Sequence, residues 1–115
     1  MKQVVVAFDI DGTLRSNKKE YEYCNTEKVV PNEEIRTLLY ILSKFKNVKI
    51  LVWSGSGELY ARQCARELGV AAYVDDYMDK GSRDARGKGE FVPDISIDDI
   101  QACEMGLVNL IVRQK

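Results

Sequence analysis

The sequence predicts an α/β fold, a three-layer sandwich built on a five-stranded, mostly parallel sheet. Two features predict it. Short β-branched runs alternate along the chain with segments whose apolar residues recur at helical spacing. The first two runs, Val4–Asp9 and Val48–Ser54, are apolar at consecutive positions, as strands covered on both faces are. With 115 residues the chain suits one domain and one core, so right-handed βαβ crossovers with helices on both faces are the expected topology.

Taken in order, Val4–Asp9 is the first strand. The segment 14–30 is polar and irregular, with tyrosines alternating against polar residues in "YEYCNTEK", and it reads as a flap or small hairpin. A helix opens at Pro31 or Asn32 with Glu33 and Glu34 in its first turn. Its apolar stripe is Ile35, Leu38, Leu39, Leu42 and Phe45, and Asn47 ends it. "VKILVWS" is the second strand, broken by "GSG", with Trp53 in the core. A second helix follows from Glu58 to Leu68, burying Ala61, Cys64, Ala65 and Leu68, with Gly69 suited to the C′ position. "VAAYV", Val70–Val74, is expected as a short third strand, and 75–92 as a loop. "DISIDD" is the fourth strand, and "NLIV", Asn109–Val112, the fifth.

Composition narrows the chemistry. A net charge of −1 gives no global pull toward nucleic acid or membrane, and no apolar run reaches the roughly 20 residues of a membrane span. Neither terminus carries a signal-peptide or lipidation pattern. Cys24, Cys64 and Cys103 are too widely spaced for a zinc or redox motif, so a reduced, cytoplasmic protein is expected. The chain has no histidine, which excludes Ser-His-Asp and Cys-His catalysis and histidine metal sites within it. Carboxylates, lysine, hydroxyls and a metal remain.

Ligands of an open parallel sheet bind beyond the carboxyl ends of its strands. Asp9 and Asp11 end the first strand, Ser54 the second, Asp98 and Asp99 the fourth. Four carboxylates meeting there repel one another unless a cation joins them. An all-oxygen donor set suits a hard ion, Mg²⁺ foremost, which keeps waters and pairs with phosphate.

The set "FDIDGT", "VWSG" and "ISIDD" resembles the haloacid dehalogenase-like superfamily of phosphohydrolases, in its small capless form. The resemblance implies a Rossmann-like sheet and a Mg²⁺-dependent phosphatase, a hydrolase acting on phosphomonoesters through an aspartyl-phosphate. On that reading Asp9 is the nucleophile, and Asp11 protonates the leaving oxygen and then deprotonates water. Gly12, Thr13, Ser54 and Gly55 surround the phosphoryl group, with Gly12 letting the backbone turn its amides inward. Mg²⁺ is held by Asp9, the Asp11 backbone carbonyl, Asp98 and Asp99. The family's lysine follows strand three; Lys80 in "YMDKGS" is preferred, with Lys88 in "RGKGEF" the alternative. Capless relatives act on macromolecular phosphates or close their sites by oligomerising, so the substrate is a small-molecule, nucleic-acid or protein phosphate, and a homo-oligomer is one way to complete the site.

Plainer readings exist for each feature. Asp-Gly is a common turn dipeptide, and Asp98 and Asp99 suit the cap of a short helix at 100–104. "SGSGE" lacks the ending of a phosphate-binding P-loop. The basic stretches 15–19 and 80–88 read as solvated loops or as a cationic rim for an anionic substrate. The rival from another class is a non-catalytic Mg²⁺- or phosphate-binding regulatory protein, such as a receiver-like domain. A receiver's phospho-acceptor ends its third strand, whereas here the second acid pair comes late in the chain.

Overall fold

The structure is a computed structural model that describes residues 2–16, 20–21, 27–80, 92–100 and 106–113. Its strands and helices are β1 (Val4–Asp9), β2 (Glu20–Tyr21), β3 (Glu27–Lys28), α1 (Glu33–Leu42), β4 (Val48–Ser54), α2 (Glu58–Glu67), β5 (Asp76–Asp79), β6 (Ile95–Asp98) and β7 (Val108–Ile111). Five of the strands form one sheet in the order β5-β4-β1-β6-β7, and every pairing in it is parallel. The fold is the predicted α/β class, a Rossmann-like sheet flanked by helices.

Because successive side chains of a strand point to opposite faces, each central strand feeds two clusters. Val6 and Phe8 of β1 meet Ile50 and Val52 of β4, Ile97 of β6, and the buried stripes of both helices. Ala7, Leu51 and Trp53 form a second buried cluster on the other face. Trp53 is fully buried, as expected of a core residue. Each large apolar side chain withdrawn from water contributes about 1.5–3 kcal/mol, so the central strands are held from both faces.

Helix α2 follows its sequence pattern closely. Ala61, Cys64 and Ala65 are buried, and the helix ends in a Schellman motif. Gly69 N–H donates to the Arg66 carbonyl and Val70 N–H to the Ala65 carbonyl, with Gly69 at φ +73°. Helix α1 is shorter than expected. It stops at Leu42 because Ser43 Oγ donates to the Tyr40 carbonyl, and the next amides bond three residues back, tightening the chain into a turn. Phe45 therefore leaves the stripe and is half exposed.

The third strand is displaced from the predicted "VAAYV". Residues Ala71–Tyr73 form a single 3₁₀ turn, with Tyr73 N–H bonded to the Val70 carbonyl, and the strand is Asp76–Asp79. Tyr77 packs into one cluster and Met78 against the other, but with acids at both ends the short "DYMD" sequence carries no apolar run to declare a strand.

Strands β2 and β3 pair antiparallel, which fits the hairpin expected within 14–30. Hydrogen bonds from Ser16 N–H to the Val30 carbonyl and from Asn32 N–H to the Leu14 carbonyl fasten the base of that segment. Residues 17–19, 22–26 and 81–91, with Cys24, Lys88 and Cys103 and the short helix expected at 100–104, lie largely or wholly outside the described residues. Among the described residues no helix is long and apolar enough to cross a membrane.

Candidate functional site

Strand order reverses between β1 and β6, since β4 and β5 extend to one side of β1 and β7 to the other. At such a switch point the connections diverge and leave a crevice at the carboxyl ends. The register Phe8↔Ile97 places the next residues, Asp9 and Asp98, side by side at that crevice. Ser54 closes β4 beside them, and Asp99 follows β6.

The chain coils tightly just after β1. Thr13 and Arg15 N–H donate to the Ile10 carbonyl, Leu14 N–H to the Asp9 carbonyl, and Gly12 N–H to the Arg15 carbonyl. Gly12 sits at φ +84°, and a Cβ there would lie 2.1 Å from Asp99 Oδ2. The backbone angle favours glycine, and a Cβ would displace the end of the Asp99 side chain. Thr13 is fully buried, with Oγ1 3.4 Å from Asp9 Oδ2.

Lys80 immediately follows β5. Its N–H donates to the Ser54 carbonyl at 3.0 Å, extending the β4–β5 ladder, and its side chain crosses the end of β4. Nζ lies 2.6 Å from both Asp9 Oδ1 and Asp98 Oδ2, so one ammonium bridges two buried carboxylates. Of the two lysines considered, Lys80 is brought to the acids, whereas Lys88 lies outside the described residues. Asp98 also serves a turn: its Oδ1 accepts the Ile100 N–H at 3.1 Å, so a turn role and the cluster role coexist.

Three of the four predicted carboxylates converge. Asp9, Asp98 and Asp99 each offer an oxygen within 4.8 Å of the others. The Asp11 carboxylate does not join them; it bonds Tyr60 Oη and lies 3.8 Å from Arg15 Nη1. A cavity of about 360 Å³ is lined by Asp9, Asp11, Ser54, Gly55, Ser56, Lys80, Asp99 and Ile100. Ser54 Oγ, almost wholly buried, accepts the Ser56 N–H at 3.0 Å.

The electrostatics follow from two buried acids sharing one cation, with a third acid beside them. Burial pushes the Asp9 carboxyl up to about 7; Lys80 opposes the shift and the Asp98 charge adds to it. Burial, then Asp98, raises Asp99. Burial pulls Lys80 down, but the hydrogen bonds and charges of Asp9 and Asp98 outweigh it and hold the ammonium above its usual range. One lysine shared between two carboxylates gains two partners, whereas each acid gains part of one. The oxygen-only donor set, in a chain without histidine, fits a hard divalent cation.

Tyr60, Ser56 and Ile100 belong to this site and were not read from the sequence. For Tyr60 one signal existed: it lies in the first turn of α2, directly after the "SGSG" break that ends β4. A scan of protein-family models finds no match for the chain, and neither does a search of curated proteins.

Proposed function

We propose that the chain is a Mg²⁺-dependent phosphomonoesterase of the haloacid dehalogenase-like kind, working through an aspartyl-phosphate on Asp9. The observation that carries this reading is the convergence of Asp9, Asp98, Asp99 and Lys80 at the switch point, on a cavity also lined by Asp11 and Ser54. Asp9 attacks phosphorus as the P–O bond to the leaving group breaks, and Asp11 gives that oxygen its proton. Asp11 then takes a proton from water, whose oxygen attacks the phosphoryl group and frees Asp9. Lys80 offsets the charge of the nucleophile, while the Ser54 hydroxyl and Gly55 N–H hold phosphoryl oxygens. Mg²⁺, held by Asp9, Asp98, Asp99 and the Asp11 carbonyl, would neutralise charge between carboxylate and phosphate. Asp11 disfavours dehalogenation, because family dehalogenases lack this second aspartate.

The strand order weighs against the receiver-like rival. Receivers are built in the order 2-1-3-4-5, with the third strand next to the first. Here the third strand of the sheet, β5, is separated from β1 by β4, and Lys80 bridges acids at the ends of β1 and β6.

The test is phosphate release from aryl, sugar and nucleotide phosphates and from 5′- or 3′-phosphorylated oligonucleotides, with Mg²⁺ and with excess chelator. Metal-dependent release is expected, and the preferred member names the substrate class. Folded protein inert toward the whole panel would count against the reading.

A further inference from the structure

Asp11 lines the cavity, yet 53% of its side chain is open to solvent. An exposed aspartate of this kind rotates among staggered wells unless something holds it. The Tyr60 hydroxyl lies 3.0 Å from Oδ1 and 3.0 Å from Oδ2, within hydrogen-bond range, whereas Arg15 Nη1 is 3.8 Å away. Tyr60 stands on a firm base. The helix that carries it buries Ala61, Cys64 and Ala65 against the sheet. Its phenol is pushed above the usual tyrosine range by burial, then by the Cys64 thiol and the Asp11 carboxylate, so it donates a hydrogen bond without surrendering the proton.

We propose that Tyr60 is a positioning residue that aims Asp11 for proton transfer, an inference that rests on the phosphomonoesterase reading above. The phenol donates to one carboxyl oxygen and leaves the other facing the leaving group. When Asp11 is protonated, the same bond occupies the unprotonated oxygen and keeps the O–H directed at the cavity. The proton that moves is that of Asp11, passing to the leaving oxygen as the P–O bond breaks; Tyr60 keeps its own throughout.

The experiment compares wild type, Tyr60→Phe and Asp11→Asn on two esters at saturating Mg²⁺. p-Nitrophenyl phosphate has a leaving group that needs no proton, whereas β-glycerol phosphate has an alkoxide leaving group that does. The readout is kcat/KM, which covers the steps through departure of the alcohol. Tyr60→Phe should lose about tenfold or more on the alkyl ester and about twofold or less on the aryl ester, a fraction of what a general acid contributes. Asp11→Asn should show the same bias, more strongly. A merely structural role lowers both rates together. Equal loss on both esters, no loss on either, or wild type that cleaves only the aryl ester each overturn the inference. Wild type inert toward both esters overturns the phosphatase reading first, before any substitution is made. Because Tyr60→Phe removes one oxygen and keeps the ring, a thermal melt matching wild type serves as the folding control.

Discussion

Replacing Lys80 by methionine removes the only cation seen against the acidic cluster among the described residues while keeping an unbranched side chain one heavy atom shorter. Nζ is 2.6 Å from Asp9 Oδ1 and from Asp98 Oδ2, and the three side chains are 14%, 9% and 4% exposed. Deleting one partner of such a buried arrangement leaves uncompensated charge and costs about 3–5 kcal/mol. For a domain of this size that is a fall in Tm on the order of 10–20 °C. The cost should depend on pH, because Asp9 titrates at about 7 and sheds part of the repulsion by taking up a proton. Lys80 itself holds that carboxyl down, so in Lys80→Met the proton is kept to higher pH; in chelator the loss should still be larger at pH 8 than at pH 5. Added Mg²⁺ supplies countercharge to the same oxygens, so it should raise the Tm of Lys80→Met by more than it raises that of wild type. Circular-dichroism melts at both pH values, with chelator and with Mg²⁺, read all of this without any substrate. Equal melting of variant and wild type at pH 8 in chelator would refute the reasoning.

Asp9→Asn should abolish phosphate release, by about a thousandfold or more, while melting as a folded protein; an active, folded variant would sink the covalent mechanism. The pH dependence of metal-free stability follows from the same group. Asp9 goes from 3.8 in the unfolded chain up to about 7 when folded, so the folded state holds the proton more tightly. Its contribution is fully present below about 3.8 and lost as pH rises through about 7, and the raised Asp99 acts in the same sense. Melts in chelator should therefore fall from pH 5 to pH 8, saturating Mg²⁺ should flatten the decline, and Asp9→Asn should remove most of it. Gly12→Ala should cost about 1–2 kcal/mol from its φ of +84°. Since the new Cβ would meet only the end of the Asp99 side chain, the larger effect should be on Mg²⁺ affinity, weakened by about tenfold in calorimetric titration.

What could be read from the chain was whatever is local and covered on both sides. Strands β1 and β4 run between two apolar clusters, so their composition declares them, and α2 carries both its stripe and its terminating glycine. Strand β5 lies at the sheet edge with acids at both ends, and nothing in "DYMD" distinguishes it from a loop. The more apolar "VAAYV" drew the prediction because it supplies core side chains from a turn; Val70 is buried there without belonging to a strand. For the site, the acids were legible because they end apolar runs. That Lys80 reaches Asp9 and Asp98 depends on strand order, which fixes how a residue following β5 can cross β4, and order is not a local property. Tyr60 was hidden for the same reason, because helical spacing gives its phase but not what its hydroxyl reaches.

The strand order also accounts for the chemistry of the cluster. With β1 central and paired on both sides, Asp9 is taken from water by its neighbours, and burial is the largest influence on its carboxyl. The same reversal that buries it brings Asp98 alongside through the β1–β6 register, so the fold itself creates the repulsion. Lys80 answers only part of that charge, because its ammonium bonds Asp9 and Asp98 while Asp99 adds a third carboxylate to the cluster. A divalent cation at those oxygens would complete the balance and favour the ionised form of Asp9 that the proposed mechanism requires. Stability in the absence of substrate and catalysis in its presence should then respond to Mg²⁺ through the same three residues. Loss of the Mg²⁺ response in both, on replacing Asp99 alone, is the signature that joins them.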